Sequence, residues 1–308
     1  MRYLETCRRV LVRAAATLCV GVLFVVTLAW MPRAARAILR VTPGPHPALP
    51  ADELVVHSFN VFGLPWPVGD VATARCAILA GRIVDERPDV VALQEVWDAT
   101  AREPLLVPGY HAAWCDSPQG LLGQSGLLTL SRFPVLEAKS FAFTGGSGLE
   151  ALVGKGALRT VLAVSLDQRL AVWNVHLQSG DAQATRLRQL DELCGWIAAA
   201  GDEPRVVVGD FNCGPGCAEW PTFVTRLGAV GVVLGSGDQC TYDCRVNPLA
   251  APEPPAGIDH VFVDRRAHGG HAPGWRIHDR PTDGRFLSDH FGVAVRLPIR
   301  SSAFAWTR

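Results

Sequence analysis

The sequence carries no net charge, because 29 Lys and Arg residues balance 29 Asp and Glu. A neutral chain has no general attraction for a polyanion, so nucleic acid is the less expected partner unless a basic patch forms locally. A nucleoside-triphosphate loop is also missing. The stretch Thr144 to Gly156 contains Gly148…Gly154-Lys155, but the spacing is one residue too long and Gly156 stands where Ser or Thr is required. There is no short internal repeat and no long apolar hairpin suited to membrane insertion. Cysteine is not scarce. Beyond Cys7 and Cys19 there are seven, including two equally spaced pairs, Cys213/Cys217 and Cys240/Cys244. They read as two disulfides in an oxidising compartment, ahead of a four-thiolate zinc site, whose ligands usually sit in tight knuckles without the Pro215 and Asp243 chemistry present here.

What is present at the N-terminus is a leader. Arg8, Arg9 and Arg13 precede an uncharged run from Ala14 to Met31, close to the length that spans a bilayer, and Ala35-Arg36-Ala37 resembles a processing site. Residues 1–40 are therefore expected to export the protein, as a signal peptide that leaves it secreted or as a membrane anchor. Residues 41–51 hold four prolines and read as a linker, and 52–300 as one catalytic domain.

Within that domain a motif recurs: an apolar strand ending in a polar residue. Leu54 to Asn60, Asp89 to Glu95, Leu170 to His176 and Arg205 to Asn212 all follow it, and helices are expected after Asp70 and after Asp181. The helix after Asp181 carries a stripe of Leu187, Leu190, Leu193 and Ile197. Gly209 permits close backbone approach, and Asp210 and Asn212 share one side of the chain. Ser288-Asp289-His290 precedes a final strand, and Ile258-Asp259-His260 opens another. Any one polar tip is an ordinary strand end. Asn60, Glu95, His176, Asp210, Asn212, Asp259, Asp289 and His290 together form a pattern that core packing does not require.

These residue types suit metal-assisted phosphodiester cleavage. Carboxylates without a cysteine-histidine knuckle favour a hard ion such as Mg²⁺, with Mn²⁺ a possible substitute. Glu95 is the first ligand by this reasoning, and Asp289 offers a second metal contact beside His290, which titrates near neutrality. Lys155, on its glycine-rich segment, is either a substrate-phosphate contact or a solvated side chain.

Ser58-Phe59-Asn60-Val61, Gln94-Glu95-Val96-Trp97, Ser131-Arg132-Phe133-Pro134, Asn174-Val175-His176-Leu177, Gly209-Asp210-Phe211-Asn212, Ile258-Asp259-His260-Val261 and Ser288-Asp289-His290 occur in an order that resembles the endonuclease/exonuclease/phosphatase superfamily. Gln94 to Trp97, Gly154-Lys155-Gly156 and Val175-His176-Leu177 are most similar to the neutral sphingomyelinases. The resemblance implies an α/β fold, a four-layer sandwich of two packed mixed sheets flanked by helices. It also implies Mg²⁺-dependent hydrolysis of sphingomyelin, or a related phospholipid at a membrane surface, to ceramide and phosphocholine; no protein partner is expected. By carry-over, Glu95 binds the metal with Asn60 nearby, and His290, oriented by Asp259, activates water. Asp210, Asn212 and His176 position that water or stabilise developing charge, and the choice of Asp210 or His290 as formal base stays open. Phe211 stands where many relatives have leucine and His260 where tyrosine is frequent. A secreted deoxyribonuclease or other phosphoesterase on this scaffold is the alternative, and a catalytically inactive, membrane-anchored binding protein the third reading.

Overall fold

Valine and leucine on both faces of the central strands leave no side for water, so such strands must be covered twice. The computed structural model describes residues 39–42, 53–64, 72–116, 124–165, 168–227, 240–264 and 274–298, all within one compact unit, Ala37–Arg308. The apolar leader, the prolines from Pro43 to Pro50, Trp66 and the expected cap Asp70 lie outside these residues. Among the described residues no helix is long and apolar enough to cross a membrane.

The strands are β1 (Leu39–Thr42), β2 (Glu53–Gly63), β3 (Val90–Val96), β4 (His111–Cys115), β5 (Leu128–Ser131), β6 (Val135–Ala142), β7 (Gly156–Ala163), β8 (Arg169–His176), β9 (Arg205–Asp210), β10 (Asp259–Val263), β11 (Gly274–Ile277) and β12 (Gly292–Pro298). One sheet has the order β1-β4-β5-β3-β2-β12-β11 and the other β10-β9-β8-β7-β6. Both are mixed: β2 pairs parallel with β3 and β8 with β9, and the other pairings are antiparallel. Val56, Val90 and Ala92 of the first sheet pack against Leu162, Val172, Val206 and Val208 of the second. On the first sheet's outer face, α1 (Ala72–Glu86) buries Leu79 and Ile83 against Phe59 and Val91. On the second sheet's outer face lie α3 (Gln183–Ala199) and α4 (Trp220–Arg226), and α2 (Ala99–Arg102) is a single turn after β3. This is the expected four-layer α/β sandwich. Fully burying a leucine or isoleucine in these layers stabilises by roughly 1.5–3 kcal/mol.

Several expectations need correction. Leu39–Thr42, at the expected junction of leader and linker, forms an edge strand paired with His111–Cys115, Leu39 opposite Cys115. Strand β7 begins at Gly156, so the glycine-rich segment feeds a strand directly. Asp181 does not cap α3, whose N-cap is Ala182 without a side-chain hydrogen bond. The buried face of α3 keeps Leu190, Leu193 and Ile197 but adds Arg186 and Gln189, and Leu187 is only half-buried. Those two polar residues hold loops: Arg186 pairs with buried Glu219 at 2.7 Å, and Gln189 receives the Gln178 N–H. The cysteine pairs do not form disulfides. Cys213, Cys217 and Cys244 are thiols, with Cys217 Sγ accepting from Gly214 N–H and Cys244 donating to the Glu253 carbonyl.

Candidate active site

The carboxyl ends of β2, β3, β8 and β9 meet at one edge of the sandwich, where open α/β sheets build sites. Gly209 makes the approach possible. Its φ is 146°, and a Cβ there would lie 2.0 Å from the Val175 carbonyl, so any other residue would push β9 off β8. The parallel register then sets His176 beside Asp210. Glu95 and Asn212 both adopt left-handed backbone, with φ of 60° and 49°. Asparagine tolerates that region, but glutamate is held there at a cost on the order of 1–3 kcal/mol, a strain characteristic of functional sites.

All nine expected site residues converge here. Asn60 Nδ2 donates to Glu95 Oε1 and to Asp210 Oδ2, both at 3.0 Å, while its carbonyl oxygen accepts from Phe62 N–H. Asn60 is thus oriented as a bridge between two carboxylates rather than as an oxygen donor to an ion. His176 Nε2 lies 3.4 Å from Asp210 Oδ2 and 4.0 Å from Glu95 Oε1. Asp259 Oδ2 meets His290 Nδ1 at 2.9 Å, and His290 Nε2 looks toward Asp210 Oδ2 at 3.9 Å. Asn212 gives its backbone N–H to Asp210 Oδ1 and its amide to the Leu177 carbonyl. Lys155 also donates to that carbonyl, at 2.9 Å, and pairs with Glu150 at 2.6 Å. At 5% exposure it is a fixed internal charge, which removes the solvated reading. Asp289 accepts from Ser288 Oγ and is close enough for its charge to act on Glu95.

The protonation states follow from burial and company. Burial raises the Glu95 and Asp210 carboxyls, Asp210 to about 7, with Asp289 adding to the effect at Glu95. Burial also opposes charge on His290, but the carboxylates of Asp259, Asp289 and Asp210 outweigh it and hold its pKa well above the usual histidine value. His176 goes the other way: burial, then the charges of Lys155 and His290, keep it neutral.

A divalent cation fits this site. Glu95 Oε2 is buried with no hydrogen-bond partner, and Glu95, Asp210, Asp259 and Asp289 concentrate negative charge in one pocket. Asp210, Asp259 and His290 also bring ligand atoms within 4.8 Å of one another. The hydrogen bond between Asp259 and His290 already engages that group, so Glu95 is the better holder of a hard ion.

Residues that motif reading passed over support the site. The Tyr242 ring stands edge-on to His290 with centroids 5.2 Å apart, and Thr241 Oγ1 accepts the Asp259 N–H. Buried Asn247 donates to the Ser288 carbonyl and fixes the turn carrying Asp289 and His290. The signal lay in Thr241-Tyr242-Asp243, between the two cysteines taken as disulfide partners. Gln94 Nε2 bonds Asn174 Oδ1 at 2.8 Å, joining the two sheets just beneath the site.

Comparison with known proteins agrees with this geometry. Sphingomyelinase C of Listeria ivanovii is 25% identical over 251 residues, 67% of this chain and 74% of that protein. Sphingomyelin phosphodiesterase 5 of Danio rerio is 32% identical over 160 residues, 41% of this chain but only 29% of the fish protein's length. A double mutant of beta toxin from Staphylococcus aureus with bound magnesium ions superposes with a TM-score of 0.63 at 19% identity, covering 79% of this chain and 99% of the other. TDP2 of D. rerio complexed with a single-strand DNA product gives a TM-score of 0.61 at 21% identity, covering 80% and 99%. These two likenesses establish the fold. The model of the Endonuclease/Exonuclease/phosphatase family matches residues 58–290. With that match spanning the strand tips that build the site, the chain belongs to the endonuclease/exonuclease/phosphatase family, sphingomyelinase-like in its sequence relatives, and with it to the phosphodiester hydrolases.

Proposed function

We propose that the protein hydrolyses the phosphodiester of sphingomyelin or a closely related phospholipid at a membrane surface, with Mg²⁺ as its ion. The observation that carries the reaction is the buried arrangement of Asp259, His290, Asp210, Asn60 and Glu95, continuous through contacts of 2.9 to 3.9 Å. The lipid class rests on the two sphingomyelinase relatives and on the chain's zero net charge.

Glu95 would hold the ion, with Asp289 adding charge and Asn60 fixing the carboxylate. When bound, the ion neutralises charge on the phosphoryl oxygens. Asp210, poised near neutrality, accepts the proton of the attacking water. His290, kept protonated by Asp259, stabilises the charge on the phosphoryl oxygens and gives its proton to the alkoxide that leaves as its bond to phosphorus breaks. Neutral His176 directs its Nε2 at Asp210 and sets that carboxylate's orientation. Lys155 places fixed positive charge behind the reacting phosphate. The leader is proposed to export the domain, either secreted or tethered.

Sphingomyelin vesicles with Mg²⁺ should release phosphocholine, and chelator or Glu95→Gln should abolish release. Absence of lipid turnover under these conditions overturns the substrate. The second reading, cleavage of a nucleic-acid phosphodiester, draws on the TDP2 structure with its single-strand DNA product. Cleavage of a single-stranded oligonucleotide without lipid turnover would establish it.

A further inference from the structure

A second polar cluster lies on the outer face of the seven-stranded sheet, opposite to the face that carries Asn60. His57 points outward from β2, Glu86 ends α1, and His278 follows β11, and each offers one ligand atom within 4.8 Å of the others. His57 and His278 are 6% and 8% exposed. His278 is held in left-handed backbone, with φ of 56°, which turns its ring in against Phe59 at a centroid distance of 4.9 Å. Its Nδ1 is buried without a hydrogen-bond partner. Arg82 Nε takes Glu86 Oε1 at 2.7 Å, leaving Oε2 facing His57 Nδ1 at 4.0 Å, too long for a hydrogen bond.

Two imidazoles and a carboxylate oxygen are a donor set for a borderline transition ion rather than for Mg²⁺, which prefers oxygen alone. In a tetrahedral zinc shell the ligands stand about 2.0–2.2 Å from the ion, hence about 3.3–3.6 Å from one another, so small rotamer changes close the cluster. Burial lowers the pKa of His57 to about 4 and of His278 to about 3, the latter also through His57 and Arg82, so both rings are unprotonated at neutral pH, the form that ligates. We infer that His57, Glu86 and His278 form a zinc-class site, separate from the active site, that clamps the end of α1 and the edge strand β11 onto β2. The half-exposed Glu86 side leaves the fourth position to water.

The test uses the full chain, stripped with chelator and then held in excess Mg²⁺ so that the oxygen-rich site is occupied. Titration with Co²⁺ alone should give about one ion per chain, with the visible absorption of a four-coordinate nitrogen and oxygen site, displaced by Zn²⁺. His57→Gln and His278→Asn should lose that ion, and Glu95→Gln should keep it. At a hundredfold excess over its Kd, Zn²⁺ should raise Tm by roughly 5–10 °C in the wild type and not in His278→Asn. If circular dichroism shows His278→Asn unfolded, Glu86→Gln at the half-exposed position replaces it, with an expected affinity loss of tenfold or more. Failure to retain Co²⁺, equal retention in the ligand variants, or loss in Glu95→Gln alone would overturn the inference.

Discussion

His290 and His57 are equally buried, at 6% exposure, one at the strand-tip site and the other on the outer face of the seven-stranded sheet, yet they hold opposite protonation states. Three carboxylates, Asp259, Asp289 and Asp210, act on His290 and keep it charged. His57 has Glu86 at 4.0 Å, already engaged by Arg82, and burial keeps it neutral. Burial alone therefore does not set a histidine's charge; the net charge of its immediate neighbours decides. The inner face is arranged to hold and pass a proton, and the outer face to offer lone pairs.

The strongest way to break this contrast is to remove the inner pair. His290→Ala or Asp210→Ala should lower kcat/KM on sphingomyelin vesicles by about 10³-fold with the circular dichroism spectrum retained, in the range of lost general acid–base catalysis. A loss below tenfold would mean that neither group handles the proton.

Next is the outer pair's effect on stability. The unfolded chain protonates histidine near 6.5, whereas folded His57 and His278 stay neutral to about 4 and about 3. Between those values the unfolded state binds more protons at these two rings, so the stability they contribute is complete well above pH 6.5 and falls as pH drops. Urea unfolding in chelator should show a decline on the order of 5 kcal/mol from pH 6.5 to 4, about half of it lost in His278→Asn. An unchanged slope in that variant would show that other groups carry the acid lability.

A smaller effect concerns the ion. In metal-free protein, carboxyl NMR should find Asp210 titrating near 7, and Mg²⁺ should lower that midpoint by about one pH unit or more, since added positive charge favours the carboxylate. No response to Mg²⁺ would place the ion away from Asp210. The smallest change expected is at Tyr242, whose ring packs edge-on to His290. Tyr242→Phe keeps that packing and should change kcat/KM by less than about threefold, while Tyr242→Ala should cost about tenfold through a misplaced imidazole.

Much of the fold was legible. The strand ending at Asp210 announced itself by three valines before a glycine, because a doubly covered strand needs apolar side chains on both faces. β1, β4, β6 and β11 were not legible. Leu39–Thr42 follows an apolar run and precedes four prolines, and its partner strand is about seventy residues further along the chain. Arg186 and Gln189 broke the expected apolar stripe of α3 because their partners, Glu219 and Gln178, come from other loops. The cysteine pairs misled through spacing alone, since a disulfide depends on how the two side chains face each other and not on their separation in sequence.

By itself the sequence determined which residues end the strands, because a polar group after an apolar run is a local pattern, and the motif order was enough to point to the family. Only the tertiary structure decided what those residues are to one another. It turned Glu95 into left-handed backbone, set Asn60 between two carboxylates and buried Lys155 against the Leu177 carbonyl and Glu150. It also left one of two equally buried histidines charged and the other neutral, because electrostatic environment is set by neighbours that the chain brings together only on folding.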